Sequence, residues 1–215
     1  TMIKAVEEEL ETPFGVQVLA PAYTSMREDV GRVTQKFPGS AENGSVYNHA
    51  AIFYVYSLYT AGESDRAFRL LRRMIPGPDP EDCERRGQMP VFIPNYYRGA
   101  WRQYPRTAGR SSQLFNTGTV SWVYRTLIDG LFGLRGDGQD LIVEPMLPRG
   151  WARASCSREF RGATLLLYFR REAGVETITI TVDGRRITGN RIRGLEPERR
   201  YEVAVTLGAS SGCRE

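Results

Sequence analysis

Apolar side chains recur every three to four residues in four stretches of the first part of the chain, a spacing that gathers them on one helical face. Ile3, Val6 and Leu10 define the first predicted helix, and Ile52, Val55, Tyr56 and Tyr59 a second that stops at Gly62. Ala67, Leu70, Leu71 and Met74 define a third, closed by the Pro76-Gly77-Pro78 breaker. Val120, Val123, Tyr124, Leu127 and Leu131 predict a fourth, which begins after Thr117-Gly118-Thr119. Between them, residues 13–47 and 76–116 read as long loops rich in Pro, Gly, Asn, Tyr and Arg. Loops of that length are uncommon in compact domains unless they carry function, which places the site there. Near residue 138 the period shifts towards two. Leu141 to Val143, Ala163 to Phe169, Thr177 to Val182 and Tyr201 to Leu207 predict strands, with Asp183-Gly184 as a hairpin turn. The pattern therefore predicts an α+β chain: a helical region over 1–138, a small antiparallel β domain over 139–208 with the character of a sandwich, and a polar tail at 209–215 that should fray.

Composition changes this picture little. Apolar residues make up 41% and charged residues 25% of the chain, as in ordinary globular proteins. Eleven Tyr, nine Phe and three Trp supply either core or surfaces on which sugar rings stack. The net charge of +4 comes from Arg scattered among carboxylates, not gathered in a stripe, which argues against nucleic acid and suits small anionic substrates. Cys83, Cys156 and Cys213 are odd in number and widely spaced, so they read as reduced thiols of a cytoplasmic protein. With His49 the single histidine, a zinc site built on several imidazoles is excluded. No apolar run is long enough to span a membrane, and no signal peptide pattern is present.

Three loop segments carry chemistry. In Glu42-Asn43-Gly44-Ser45-Val46-Tyr47-Asn48-His49, a carboxylate beside an amide makes a clamp for paired sugar hydroxyls, the one accepting and the other also donating. His49 either faces an anion or caps a helix turn. In Asn116 to Trp122, small hydroxyl residues and Gly118 open a helix whose free N–H groups suit phosphate; the same residues also read as an N-cap and a tight turn. Arg32 and Lys36, four residues apart, converge on one carboxylate if their segment coils, and otherwise are solvated loop cations.

Taken together, Lys36-Phe37-Pro38-Gly39-Ser40-Ala41-Glu42-Asn43-Gly44, then His49, Thr117-Gly118-Thr119 and Trp122, resemble the inverting phosphorylases of glycoside hydrolase family 94. Gln17 to Tyr23, Gly130 to Leu134 and Pro145 to Trp151 extend the resemblance across roughly residues 1–170. Ser45 to His49, Phe92 to Gly99 and Tyr104 to Arg110 are most similar to the acid-specific members, whose acceptor is an aldonate. The resemblance implies the C-terminal part of an (α/α)6 barrel followed by the β domain. By position it implies that Arg32 and Lys36 recognise the aldonate carboxylate and that Glu42 binds sugar hydroxyls. His49, Thr117 and Gly118 match the family's phosphate-binding set. The implied reaction is phosphorolysis of 4-O-β-D-glucosyl-D-gluconate to α-D-glucose 1-phosphate and gluconate, with inversion. Phosphate is the co-substrate, and neither metal nor organic cofactor is implied. The general acid is an aspartate expected upstream of Thr1, since neither Asp29 nor Asp129 has its context. No catalytic residue is thus expected in these 215 residues, which alone should be inactive and expose apolar helix faces. The whole protein is expected to form homodimers. Alternatives are a relative acting on cellobiose or another β-glucoside, an inverting hydrolase, and a non-catalytic carbohydrate-binding piece.

Overall fold

The computed structural model describes residues 2–209, and the chain divides into two compact units, Thr1–Thr126 and Leu127–Glu215. The first unit runs α1 (Met2–Glu9), β1 (Glu11–Thr12), β2 (Gly15–Val16), a 3-10 turn (Arg32–Gln35), β3 (Val46–Tyr47) and α2 (Asn48–Thr60). It continues through α3 (Ser64–Met74), α4 (Pro80–Arg86), β4 (Tyr96–Tyr97), β5 (Ser111–Ser112) and α5 (Thr119–Arg125).

The predicted helical faces are the ones that pack. Ile52, Val55, Leu58 and Tyr59 of α2 are buried, and so are Ala67, Leu70, Leu71 and Met74 of α3, whose opposite face is arginine-rich. α1 is the exception: none of its residues is buried, and Ile3 and Val6 are only half-covered. The long loops are not free coil either. Antiparallel strands β3, β4 and β5 form a small sheet, with Phe14, Val46, Tyr97 and Ala108 clustered beside Trp101. The Tyr97 hydroxyl donates to the Met74 carbonyl at 2.8 Å, and burial pushes that phenol up to about 12.

α4 lies inside a stretch expected to be loop. Pro80 occupies its first turn, the Asp79 side chain accepts from the Glu81 N–H, and Gly87 closes it in the left-handed region. Its sequence holds only one apolar residue, Cys83, so hydrophobic period is silent there. It is anchored instead by buried Arg86, which pairs with Asp82 at 2.7 Å and lies over Phe14 and Tyr97. The predicted fourth helix also differs. It is α-helical only to Arg125, and Thr126–Leu131 winds on as a wider π turn. The Thr126 hydroxyl donates to the Trp122 carbonyl at 2.7 Å, a side-chain bond that competes with the regular ladder where the winding changes.

The second unit holds β6 (Leu134–Asp137), β7 (Asp140–Val143), β8 (Arg153–Phe160), β9 (Ala163–Glu172), β10 (Thr179–Val182), β11 (Arg185–Arg186), β12 (Arg191–Ile192) and β13 (Arg200–Gly208). They form a five-stranded sheet in the order β11-β10-β13-β9-β8 and a three-stranded sheet β12-β7-β6. Leu165, Leu167 and Phe169 of β9 alternate inward with Tyr201, Val203 and Val205 of β13. Asp183-Gly184 makes the expected hairpin, both residues having positive φ, between Val182 and Arg185. One pairing departs from the antiparallel expectation: β9 and β13 run parallel over nine registered pairs.

No described helix is long and apolar enough to cross a membrane. Cys83 and Cys156 are free thiols; Cys213 and residues 210–215 of the tail expected to fray lie outside the described residues.

Candidate functional site

The two predicted loops of the first unit meet backbone to backbone. The Gly99 N–H donates to the Gly39 carbonyl at 2.9 Å and the Ala100 N–H to the Gly44 carbonyl at 3.0 Å. A Cβ on Gly99 would lie 2.0 Å from the Gly44 oxygen, so this approach requires glycine. Asn43 ties the first loop to itself. Its amide nitrogen donates to the carbonyls of Tyr23 (2.9 Å) and Lys36 (2.8 Å), while its oxygen accepts from the Tyr23 N–H (2.8 Å). With that amide fully used and buried, the sequence-level clamp of Glu42 and Asn43 is corrected. Asn43 is scaffold, and Glu42 is the exposed member of the two.

On that scaffold the 3-10 turn Arg32–Gln35 coils the segment, pinned by the buried Thr34 hydroxyl, which donates to the Gly31 carbonyl at 2.8 Å. Lys36 follows and hydrogen-bonds Glu42. The Lys36 ammonium, foremost, then the Glu42 backbone N–H and the more distant Arg32 charge hold the Glu42 carboxyl below its ordinary range. Lys36 thus pairs directly with the Glu42 carboxylate, while Arg32, exposed on the preceding turn, adds only a more distant positive charge. Asp29 is engaged elsewhere, paired with Arg27 at 2.8 Å on the surface.

His49, Thr117 and Gly118, separated by 68 residues of chain, come together. His49 sits in the first turn of α2, fixed when Asn48 anchors that turn to the Pro94 and Asn95 carbonyls at 2.7 and 2.9 Å. The Thr117 hydroxyl lies 2.9 Å from His49 Nδ1 and within 3.5 Å of Asn95 Oδ1. The other nitrogen, Nε2, faces Gly118 so closely that a Cβ there would lie 2.4 Å from it. Gly118 is therefore glycine because the imidazole occupies the space a side chain would take.

Between the two groups stands an aromatic pair that the sequence patterns miss. Tyr47 stacks on Tyr96 with ring centroids 4.5 Å apart and planes 14° from parallel. The Tyr47 hydroxyl reaches His49 Nδ1 at 3.3 Å, and burial, followed by the Glu42 charge, raises the Tyr96 phenol. Phe53 and Trp122 close the far side of the imidazole, His49 to Phe53 at 5.0 Å and Phe53 to Trp122 at 4.6 Å. Strands of two residues carry no readable period, which is why the Tyr47–Tyr96 stack is invisible before β3 pairs with β4. The arrangement offers a lysine paired with an exposed carboxylate in one group, and an imidazole, a hydroxyl and a glycine in close contact in the other. Both groups suit oxygen-rich anionic ligands. Among the described residues, no three His, Cys, Asp or Glu side chains gather as a metal site would need.

Residues 1–133 match the family model described as the catalytic domain of the glycosyl hydrolase 94 superfamily. The chain is 54% identical over 207 residues to a cellobionic acid phosphorylase of Neurospora crassa, covering 96% of this chain and 26% of that protein. It is 32% identical to a 3-O-β-D-glucopyranosyl-β-D-glucuronide phosphorylase of Paenibacillus borealis (94% of this chain, 26% of that protein). It is 28% identical to an N,N'-diacetylchitobiose phosphorylase of Vibrio proteolyticus (95% and 25%). The chain thus spans about a quarter of the length of the curated relatives it matches. With the family model matched over more than half of its residues, the chain belongs to glycosyl hydrolase family 94.

Proposed function

We propose that this chain supplies the acceptor-carboxylate and phosphate subsites of an inverting disaccharide phosphorylase acting on 4-O-β-D-glucosyl-D-gluconate, cellobionic acid. The observation that carries the reading is the Lys36–Glu42 pair in one loop together with the cluster of His49, Thr117 and Gly118, to which the Tyr47–Tyr96 stack adds a hydroxyl. The names of two of its relatives, a cellobionic acid and a glucuronide phosphorylase, also specify acidic sugars, which fits the cations at the acceptor side.

In this reading Lys36 exchanges its bond to Glu42 for the aldonate carboxylate, assisted by Arg32, and Glu42 turns to the sugar hydroxyls. His49, the Thr117 hydroxyl and the Gly118 N–H hold inorganic phosphate in line behind the anomeric carbon. A phosphate oxygen forms the new bond to that carbon while the bond to the gluconate oxygen breaks. The departing oxygen takes its proton from an aspartate outside these 215 residues, and the product is α-D-glucose 1-phosphate. In this reading the helices and loops within residues 1–138 are the last of an (α/α)6 barrel, and 139–208, joined by strand β6 (Leu134–Asp137), a β-sandwich. The match of a catalytic-domain model to 1–133 supports this, as does the run of β7 to β13 without a helix.

The test is glucose 1-phosphate release from cellobionate and from cellobiose by the full-length protein and its Arg32→Ala and Lys36→Ala variants. Loss of a desolvated charge-assisted contact predicts a fall of about 10²-fold in kcat/KM on cellobionate, with cellobiose turnover far less affected. Equal losses on both sugars would overturn the acid-specific assignment.

A further inference from the structure

A hydroxyl has one proton to give, and the Thr117 hydroxyl has two claims on it. In the structure it lies 2.9 Å from His49 Nδ1, yet in the phosphate-binding reading it must also donate to an anion. If Thr117 turned its proton to phosphate with nothing else at Nδ1, the ring would move its own proton to Nδ1 and donate to the Thr117 oxygen. Nε2, the nitrogen facing Gly118, would then present a bare lone pair to an anion. That arrangement repels the ligand.

The structure contains a second hydroxyl at the same nitrogen. The Tyr47 hydroxyl lies 3.3 Å from Nδ1, and the Tyr47 ring is held by its 4.5 Å stack on Tyr96. Tyr96 in turn belongs to β4, paired with β3, so the tyrosine stands on the small sheet and not on a free loop. Its ring also meets the imidazole edge to face at 5.8 Å. The geometry points to Tyr47 as a positioning residue. Its hydroxyl donates to Nδ1 and holds His49 as the Nε2–H tautomer, so that Thr117 is free to donate to phosphate while Nε2–H does the same. The part of this inference that involves phosphate rests on the function proposed above; the tautomer does not.

His49 is the only histidine in the 215 residues, so its ring nitrogens can be read without assignment ambiguity in 15N-labelled chain. At a pH that keeps the ring neutral, the wild-type chain should show Nδ1 bare and Nε2 protonated. Thr117→Val, which leaves only Tyr47 at Nδ1, should keep that pattern. The double variant Thr117→Val with Tyr47→Phe should lose it, giving the averaged signals of an unconstrained imidazole. A wild-type Nδ1–H pattern, or a double variant indistinguishable from Thr117→Val, would overturn the assignment. Backbone amide spectra matching wild type over β3, β4 and β5 establish that each variant is folded. In a second arm, inorganic phosphate is titrated into wild type and into Tyr47→Phe. The expected result is a shift of the wild-type Nε2 signal with the tautomer unchanged, and movement of the proton to Nδ1 in Tyr47→Phe. A Tyr47→Phe tautomer that stays put as phosphate shifts its signals would also count against the role of Tyr47. If phosphate moves no His49 signal in any chain, the phosphate-binding reading fails, and the first arm alone decides on Tyr47.

Discussion

Two residues show how narrow the tolerances at this site are. Gly118 has no room for a side chain because His49 Nε2 would lie 2.4 Å from its Cβ. Gly118→Ala should therefore push the imidazole away by roughly an ångström. Misplacement of that size costs on the order of 10²-fold in rate, read as glucose 1-phosphate release by the full-length protein. A Gly118→Ala variant of wild-type activity would remove Gly118 from the site. Glu42 is the second case. Its carboxyl is held below the ordinary range chiefly by Lys36, so the ionised pair persists above the pKa of an unfolded Glu, about 4.3, and is lost as pH falls through the lower, folded value. Removing the ammonium in Lys36→Ala should raise the Glu42 titration midpoint, measured by carbon NMR of the labelled carboxylate. An unchanged midpoint would mean the pair does not form in solution. The half-exposed setting of both side chains makes this a statement about charge at the site and not about fold stability.

At the scale of elements, the site is held by loops that behave as rigid structure. The approach of Gly99 to Gly44 and the three hydrogen bonds of buried Asn43 replace the packing that a helix or long strand would provide. Gly99→Ala forces a Cβ to 2.0 Å from a carbonyl oxygen and must separate the two loops. Overpacking of this kind typically destabilises by about 1–3 kcal/mol, to be read from the urea midpoint of the 215-residue chain. A midpoint equal to wild type would show that the loops separate without loss. The same elements explain what the sequence concealed. α2 and α3 were legible because their buried faces are apolar, with Val55, Leu58, Leu70 and Leu71 at helical spacing. α4 was concealed because its buried anchor is Arg86, and β8 because its half-buried positions include Ala154, Cys156 and Arg158 and not a run of large apolar residues.

For the whole molecule, the relevant fact is that the chain covers about a quarter of the length of its relatives. On the proposed reading the proton donor lies elsewhere in the polypeptide, so the 215 residues by themselves should release no glucose 1-phosphate from cellobionate and phosphate. Turnover by the purified chain, absent in a Gly118→Ala control, would place a general acid within it and overturn that part of the mechanism. Phe53 of α2 and Val120 of α5 are exposed apolar side chains, and on the proposed reading their packing partners would lie in other parts of the protein.

The sequence by itself determined the mixed α+β character, the main helices α2 and α3, the Asp183-Gly184 hairpin and the family, because these follow from local spacing and from short motifs. Only the tertiary structure decided that β9 and β13 pair in parallel, since two strands of identical alternation pair equally well on paper in either direction. It alone assigned Asn43 to scaffold and paired Glu42 with Lys36, because the two neighbours in sequence differ in burial. It alone brought Thr117 and Gly118 across 68 residues to His49 and set Tyr47 against the same ring nitrogen. Motifs name the residue types at a site; which proton goes to which atom depends on distances that no linear spacing contains.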